Sequence, residues 1–517
     1  MDISDLMEQP AVRTQHKTRA FAGRFSASRA LEVDFARPLS FLALAAAYVL
    51  SRAPFINIGY GTDPDAWRVA LSGYWLWDHH DYYPSRLPGY PVPELASAAV
   101  IKGGWLATNS LTVLISLLGL WFFAQIVSKL QIPNRGLIVA GFAFTPLLWI
   151  NSMTTMDYMW ALSFLLGCYY FLLVEQTAPA GVFLGLASAS RPTSLIFALP
   201  FVIYLIRDGK RGELRDFFTW MIAIPMFAYL PIGWKYGPDF LRFYDAKVGY
   251  LNVLRLLGKD TLGLIGSMSV LAAILLSLPR LIKLPRDFIH DKDVMLWCIA
   301  IAITVIVFLR LPHESAYLIP LYPFGFLLLG RYVQKSVLLA TISLIVFAGF
   351  VDLTSPGDDI NVRAFTHAHL GEGLVLSNRS TMKSQLAFSR DLAQVPIPNN
   401  TIVMIGFSYP QFAVLNRERL DIGILEEDTT SISQLTDAGK AEDPEHRVTY
   451  VWLLNYKEFG TYLAEHNIRI TQDAARSAEA LYDYRPGLYN DPARNNVRLI
   501  DIRRGPSGSA GTARTDR

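Results

Sequence analysis

Long uncharged apolar runs dominate the first two thirds of this 517-residue chain. Several are about 16 residues long, slightly under the roughly 20 that a helix needs to cross a bilayer core, but flanking aromatic and basic residues extend such spans. The pattern predicts a polytopic α-helical membrane protein. The runs lie at about 38–57, 106–127, 136–156, 158–174, 217–234, 261–279, 294–309, 315–330 and 336–351.

A further apolar segment, residues 177–206, is interrupted by Arg191 and Pro192. As a single helix it would be about 45 Å long, well beyond the thickness of the bilayer core. Proline disfavours helical geometry in the residue before it and starts a new helix well. We therefore predict two short helices with a hinge at SRPTS, which brings the total to about eleven transmembrane or short membrane helices.

The basic loops set the orientation, because cytoplasmic loops carry an excess of Lys and Arg. A hairpin at Arg191 places the later basic loops on the same side as the basic N-terminus, whereas a single helix would not. This predicts a multi-pass protein of the plasma (inner) membrane with a cytoplasmic N-terminus. One outer loop, roughly 235–260, carries five basic residues and departs from the rule. The basic loops hold Lys129, Arg135, Arg207, Lys210, Arg211, Arg215, Arg280, Lys283, Arg286, Lys292, Arg331 and Lys335.

The chain after residue 352 has a different pattern and lies outside the membrane in this topology. The runs TIVMIG, TYVWLL and VRLIDI are typical of strands, and YKEFGTYLAEHN between the second and third is typical of a helix. This alternation predicts a small extracytoplasmic α/β domain. The predicted organisation is a cytoplasmic tail (1–37), a transmembrane domain (38–352) with an outer first loop (58–105), the outer domain (353–505) and a disordered tail (506–517).

Composition agrees with this class and excludes others. Hydrophobic residues make up 52% of the chain and charged residues 18%, against about a quarter charged in soluble proteins. The mean hydropathy is +0.28. A net charge of +3 without a long basic block argues against nucleic acid as a partner. Cys168 and Cys298 both lie in apolar runs, so the sequence predicts neither a zinc site nor a disulfide framework.

The first outer loop carries the acidic pair Asp63 and Asp65. An Asp followed by Pro64 is a common start of a helix, and such a cap can still face a cleft. Asp157 likewise begins a membrane segment, where its charge suits the positive end of the helix dipole. An interfacial helix is predicted after Asp63 by apolar and aromatic residues at helical spacing. These residues are Trp67, Ala70, Leu71, Tyr74 and Trp75.

Three cationic candidates, Arg191, Arg310 and His313, lie at the membrane boundary beside apolar runs. An ionisable residue there is costly unless it snorkels or serves a site. Arg310 alone also fits a snorkelling flank. Together on one face near headgroup depth, the three suit a phosphate. The adjacent His79, His80 and Asp81 lack the spacing of helical metal ligands and indicate a solvated loop.

Five motifs follow one another on the outer side: GTDPD, YPSRLPGYPVPE, TTMDYMWALSFLLG, GLASASRPTSLIFALP and RLPHESAYLIPLYP. In this order they resemble the GT-C membrane glycosyltransferases, especially the polyprenyl-phosphate-sugar-dependent branch related to protein mannosyltransferases. The resemblance covers roughly residues 38–352, and an outer C-terminal domain is usual in that superfamily. It implies an inverting glycosyltransferase of the cell envelope that moves a sugar from a polyprenyl phosphate or diphosphate carrier to a hydroxyl of a glycan, lipid or protein.

The resemblance also assigns roles to residues of this chain. It implies catalytic acids among Asp63, Asp65 and Asp157. The mannosyltransferases usually have Asp-Glu in the first loop, so Asp-Pro-Asp here leaves either aspartate as the base. The same pair is able to hold a divalent cation, Mg²⁺ or Mn²⁺. The expected substrate-binding residues are Arg191, Arg310 and His313 for the carrier phosphate, with Arg86, Glu94 and Tyr317 beside them.

Two other classes compete with an enzyme. A lipid-linked glycan transporter or flippase should show paired halves and charges near the middle of the membrane. This chain has no visible internal repeat, and its ionisable candidates gather at one face. A non-catalytic assembly scaffold is disfavoured only by the polar, aspartate-bearing first loop.

Overall fold

The computed structural model describes residues 32–238, 250–354, 369–394, 401–404, 409–417, 422–425, 450–453 and 498–501. Helices dominate the described residues, as the hydrophobic pattern predicts. They are α1 (Pro38–Arg52), α2 (Pro64–His79), α3 (Pro91–Val100), α4 (Gly104–Lys129), α5 (Arg135–Phe144), α6 (Pro146–Asn151), α7 (Tyr158–Leu173), α8 (Thr177–Ser190), α9 (Ala198–Arg207), α10 (Leu214–Tyr236), α11 (Tyr250–Leu257), α12 (Lys259–Leu276), α13 (Leu278–Leu281), α14 (Leu284–His290), α15 (Lys292–Arg310), α16 (Leu321–Tyr332), α17 (Lys335–Ala348), α18 (Leu374–Gln394) and α19 (Tyr409–Leu415).

Four helical stretches of the described part of the chain are long and apolar enough to cross a membrane. They are Pro91–Lys129, Arg211–Tyr236, Lys259–Leu276 and Lys292–Arg310. Shorter apolar helices of 10–17 residues accompany them, including α1, α5, α7, α8 and α17. The predicted class, a polytopic helical membrane protein, is confirmed.

The predicted hinge at Arg191 is also confirmed. Helix α8 ends at Ser190, and Arg191 is extended, with φ −156° and ψ 112°. Pro192 then opens a 3₁₀ turn, Pro192–Phe197, that leads into α9. The residue before a proline avoids helical geometry. Here that restriction ends the helix, and Arg191 lies in the extended link between α8 and the 3₁₀ turn.

Two predicted spans differ in detail from the observed helices. The run 136–156 is divided between α5 and α6 because Pro146 interrupts it after the extended residue Thr145. The run 315–330 starts as a short 3₁₀ turn, Ser315–Leu318, and becomes α-helical only at α16. In both runs a proline marks the start of the second helix, Pro146 at the first position of α6 and Pro320 at the N-cap of α16.

Small residues let the central helices approach closely. Helix α8 packs against both α7 and α10. A Cβ on Gly181 would lie 2.3 Å from the Phe217 carbonyl oxygen of α10. A Cβ on Gly185 would lie 2.9 Å from the Trp220 carbonyl oxygen. In a membrane the hydrophobic effect does not drive helices together, because lipid tails are as apolar as the side chains. Helices there associate through close packing of this kind.

A buried carboxylate divides helix α12. Gly263 has φ +76°, and the Asp352 side chain accepts from the backbone N–H groups of Leu264 at 2.6 Å and Ile265 at 2.9 Å. Asp352 thus caps the second half of the helix, at the start of its dipole. The first turn and the preceding α11 are redirected, which brings Leu256 and Asp260 to the cavity described below.

Ion pairs tie several of the predicted cytoplasmic loops together at one end of the helices. Lys210 lies 3.3 Å from Glu175 and 3.4 Å from Asp208. Asp208 also pairs with Lys292 of α15. These contacts bring the loops after α7, α9 and α14 to the same end of the bundle. That this end is cytoplasmic stays a prediction.

The described strands form two small sheets. Strands β1 (Val351–Thr354) and β2 (His369–Glu372) are antiparallel. The second sheet has the order β4 (Ile422–Leu425), β3 (Thr401–Met404), β5 (Tyr450–Leu453) and β6 (Arg498–Asp501), with only the β5–β6 pair antiparallel.

The three predicted strand runs contain β3, β5 and β6. The predicted helix at 456–467 and the tail at 506–517 lie outside the described residues. Helices α18 and α19 were not predicted from the sequence. In α18 the buried residues Val375, Met382 and Leu386 recur at helical intervals, and that spacing was the available signal.

Candidate active site

Four elements that are far apart in the sequence, and that the charge pattern predicts on the outer side, meet around the carboxylate of Asp157. These are the first loop, the turn before α7, the hinge at Arg191 and the RLPHESAY turn. Arg86 and Arg191 contact Asp157 directly, and Tyr158 connects the turn to Glu314. The structure therefore joins the elements that the sequence placed separately on the outer side.

Asp157 is fully buried and shared between two arginines. Its Oδ1 accepts from Arg86 Nη2 at 3.0 Å, and its Oδ2 accepts from Arg191 Nη1. Asp157 stands at the N-cap position of α7, but its side chain makes no capping hydrogen bond. A buried carboxylate is stable only when it is paired and hydrogen-bonded, so its main structural role is to hold the two guanidinium groups together.

Arg86 is held on several sides. Its Nε donates to Asp65 Oδ2 at 2.9 Å, and its guanidinium carbon lies 4.1 Å from the centre of the Tyr90 ring. Its third nitrogen, Nη1, is buried and has no hydrogen-bond acceptor among the residues that the structure describes. A buried N–H without an acceptor is costly, so Nη1 is a hydrogen-bond donor that the described protein groups leave unused.

The two first-loop aspartates have different surroundings. Asp63 caps α2, as predicted: its Oδ1 accepts from the Asp65 backbone N–H at 2.9 Å. Asp65 is neutralised by arginines, since Oδ1 lies 2.8 Å from Arg68 Nη1 and Oδ2 binds Arg86. Asp63 lines the cavity, whereas Asp65 has both oxygens engaged by cations.

Glu314 is a site residue that the sequence analysis missed, although it follows His313 in a quoted motif. Its Oε2 accepts from Tyr158 Oη at 2.5 Å. Asp63, Asp65 and Glu314 each place one carboxylate oxygen within 4.8 Å of the others. An acidic residue beside an apolar membrane boundary was the available signal.

Burial raises the pKa of the Asp63 carboxyl well above its ordinary value. The negative charges of Glu314 and Asp65 raise this pKa further, and they outweigh the hydrogen bond from the Asp65 backbone and the charge of Arg86. An ordinary aspartate is too weak a base to take a proton from a hydroxyl efficiently. The surroundings of Asp63 therefore shift it in the direction that a general base requires.

A cavity of about 520 Å³ opens beside Asp63. His313 and Glu314 line it, and Asp260 of α12 adds another carboxylate. The far wall comes from helix α18, which was not predicted. One face of that helix lines the cavity with Leu374, Ser377, Asn378 and Thr381.

Helices α18 and α19 of the C-terminal region are anchored near the edge of this cavity. Asn378 Nδ2 donates to Thr62 Oγ1 at 3.0 Å, one residue before Asp63. Helix α19 packs on α2, and the Arg417 guanidinium lies 4.2 Å from the centre of the Tyr74 ring. Helix α18 thus forms part of the cavity wall, and α19 packs on the helix that Asp63 caps.

The remaining predicted residues take different positions. Tyr317 stacks on Arg191, with 4.8 Å between the guanidinium carbon and the ring centre. Arg310 is the last residue of α15 and is exposed. Like Arg86 and Arg191, it is not among the residues that line the cavity beside Asp63. Glu94 is buried and bonded to Tyr82 and Ser85. The roles of Arg310 and Glu94 in substrate binding stay predictions.

The His79, His80 and Asp81 sequence lies at the end of α2. His79 stacks on Trp75 with ring centres 3.8 Å apart, and His80 takes the left-handed C-cap conformation. Both histidines are exposed. The contacts are those of a helix terminus.

Comparison with solved structures finds the same architecture at low sequence identity. ArnT from Cupriavidus metallidurans in the apo state matches with a TM-score of 0.54 and 11% identity, over 90% of this chain and 98% of ArnT. The same protein bound to undecaprenyl phosphate matches with a TM-score of 0.54 and 12% identity over the same shares. No protein-family model and no curated protein matches the sequence.

These neighbours do not support the narrower prediction of the protein mannosyltransferase branch. They agree with the fold that the wider resemblance, made from the order of the five motifs, implies. The chain is a polytopic membrane protein with the GT-C fold.

Proposed function

We propose that this protein is a membrane glycosyltransferase that transfers a sugar from a polyprenyl-phosphate carrier to an acceptor hydroxyl at the outer face of the membrane. The observation that carries the proposal is the position of Asp63, a cavity-lining carboxylate with a raised pKa, next to the arginine pair on Asp157. The Asp63 carboxylate suits proton removal, and the arginine pair suits the binding of a phosphate. The undecaprenyl phosphate bound by a structural neighbour supports the choice of carrier class.

The carrier phosphate is assigned to Arg86 and Arg191. Arginine presents several N–H donors in a planar fork that matches phosphate oxygens. Arg86 Nη1 lacks an acceptor among the described residues, and the Arg191 side chain retains 12% exposure. His313, which the sequence also assigns to the carrier phosphate, lines the cavity beside Asp63. Positive charge here stabilises the phosphate that leaves as the glycosidic bond breaks.

Asp63 is assigned as the general base. It removes the proton of the acceptor hydroxyl as that oxygen attacks the anomeric carbon from the face opposite the phosphate, so the configuration inverts. Asp65 is the weaker candidate because both of its carboxylate oxygens are engaged by arginines. Glu314 supports the base by raising its pKa.

The same acidic cluster is the proposed ligand set for a divalent cation. Asp63 and Glu314 fit Mg²⁺ or Mn²⁺, which prefer carboxylate oxygens, while Asp65 fits less well because Arg68 and Arg86 occupy its oxygens. A bound cation would supply positive charge for the leaving phosphate. It would also lower the proton affinity of Asp63, so the two uses of this carboxylate oppose each other.

The proposal is tested by transfer with the purified full chain in proteoliposomes. The donors are undecaprenyl-phosphate-linked radiolabelled hexoses and pentoses, and the acceptor is a glycan and lipid extract of the expression host. We expect label to move from the carrier to the extract with at least one donor. Movement of the carrier across the bilayer without transfer would instead indicate a flippase. Parallel reactions with EDTA decide whether a cation is required.

The orientation has a separate test. In a background in which Cys168 and Cys298 are replaced, Lys383→Cys on α18 should react with an impermeant maleimide added outside intact cells. Gly212→Cys, in the basic loop before α10, should react only after permeabilisation. Both positions are exposed. The opposite labelling pattern would refute the predicted topology.

A further inference from the structure

Glu94 lies in the first turn of α3 and is almost completely buried, with 1% of its surface exposed. A buried carboxylate is costly unless several donors satisfy it. The three hydrogen bonds that Glu94 accepts all come from one short segment that precedes α3. Tyr82 Oη donates to its Oε2, and Ser85 donates to its Oε1 through both its hydroxyl and its backbone N–H, the latter at 3.0 Å.

The segment that Glu94 holds has neither helical nor strand hydrogen bonds of its own. It runs from 81 to 90 between α2 and α3 and contains Pro84 and Pro88, which have no backbone N–H to donate. Within it the Gly89 N–H donates to the Arg86 carbonyl oxygen at 2.7 Å, which closes a turn, and the anchor on Ser85 comes from the Glu94 side chain. Ser85, which makes two of the three bonds, immediately precedes Arg86 in the sequence.

We infer that Glu94 is a positioning residue for the carrier phosphate, acting through Arg86 rather than by contact with the substrate. Glu94 fixes the backbone at Ser85. Because Arg86 is the next residue, this contact also fixes the position from which the Arg86 side chain extends. Arg86 then reaches Asp65 at 2.9 Å and Asp157 at 3.0 Å, with Nη1 left as the donor for a ligand. Holding a bound group in productive geometry depends on such support, because small displacements weaken charge-assisted contacts strongly.

The inference rests on the proposed function, since it assumes that Arg86 binds the carrier phosphate. Glu94→Gln keeps the size of the side chain but replaces one acceptor oxygen with an NH₂ group, which cannot accept. Either Tyr82 or Ser85 then loses its acceptor. We expect the dissociation constant for undecaprenyl phosphate to rise about tenfold, because the charge-assisted hydrogen bond from Arg86 to the phosphate is weakened when Arg86 is misplaced.

A double-mutant cycle separates positioning from a general structural role. Undecaprenyl phosphate binding is measured by equilibrium titration of the purified full chain for wild type, Glu94→Gln, Arg86→Ala and the double variant. If Glu94 acts through Arg86, the double variant binds no more weakly than Arg86→Ala. Losses that add, or an unchanged dissociation constant in Glu94→Gln, would overturn the inference.

Two controls keep the outcome interpretable. Ser97→Ala removes another buried polar side chain of α3 and should leave the dissociation constant unchanged. Ser85→Ala, which removes one donor to Glu94, should raise it about threefold and replaces Glu94→Gln if that variant does not fold. Wild type that fails to bind undecaprenyl phosphate would refute the carrier assignment and this inference with it. Binding that weakens in Arg86→Ala alone would refute only the role of Glu94.

Discussion

Asp63→Asn is expected to lower sugar transfer by about 10²–10⁴-fold, the usual contribution of a positioned acid or base. The protein should remain folded because Asn caps a helix about as well as Asp, and the Asp63 side chain caps α2 in the structure. The measurement is the initial rate of label transfer in proteoliposomes, with unfolding followed on the same preparations. Near-normal transfer would leave Asp63 as a structural cap and move the search to Asp157.

Two variants separate the cap from the chemistry. Asp63→Ala should lose the same activity and also about 1 kcal/mol of stability, because the cap is removed. Asp65→Asn is the matched control, since it is also a first-loop aspartate but has both oxygens on arginines. A larger loss in Asp65→Asn than in Asp63→Asn would reverse the assignment of the base.

The pH profile gives a second measurement of the same assignment. A general base works only when it is deprotonated, so transfer should fall as the pH drops through the pKa of Asp63. Since that pKa is raised, the fall should come at a higher pH than for an ordinary aspartate. Glu314→Gln removes a neighbouring negative charge, lowers the pKa of Asp63, and should move the acidic limb to lower pH. If the acidic limb of the pH profile does not move in Glu314→Gln, Glu314 does not influence the pKa of the base.

Asp157→Ala is expected to destabilise the protein by about 3–5 kcal/mol, because it leaves two closely placed arginines without their shared buried counter-charge. Asp157 is 0% exposed and contacts both Arg86 and Arg191. The measurement is the free energy of unfolding in detergent, or the shift of the unfolding midpoint where unfolding is irreversible. Carrier binding should fall as well, since the two guanidinium groups repel each other once Asp157 is gone.

Asp208→Ala is the matched control for this prediction. Asp208 also joins two cations, Lys210 and Lys292, but its side chain is 22% exposed. Ion pairs in contact with solvent contribute about 0–1 kcal/mol, so the loss of stability should be small. Equal effects of Asp157→Ala and Asp208→Ala would show that burial does not distinguish the two clusters.

The sequence alone determined the features that depend on local physics. Apolar runs of membrane-crossing length predicted the helices, because a backbone in lipid must satisfy its hydrogen bonds internally. Pro192 predicted the break after Ser190, and Asp63 with Pro64 predicted the start of α2. Each is a property of neighbouring residues, so each could be read without knowing the fold.

Only the tertiary structure decided which charges share a site. Arg86 and Asp157 are 71 residues apart, Tyr158 and Glu314 are 156 apart, and Asn378 reaches Thr62 across 316 positions. Hydrophobic pattern places a residue at a membrane face but does not say which neighbour it meets there. That choice follows from how closely the helices pack, and at α8 the glycines set that distance.

The difference between Asp63 and Asp65 shows the same limit at close range. The two residues lie on one turn of chain and have the same side chain, so the sequence left both as the base. The fold gives Asp65 two arginine partners and places Asp63 beside Glu314 at the cavity. Proton affinity depends on burial and on the charges within a few ångströms, and those distances are set by how the elements around the cavity pack together.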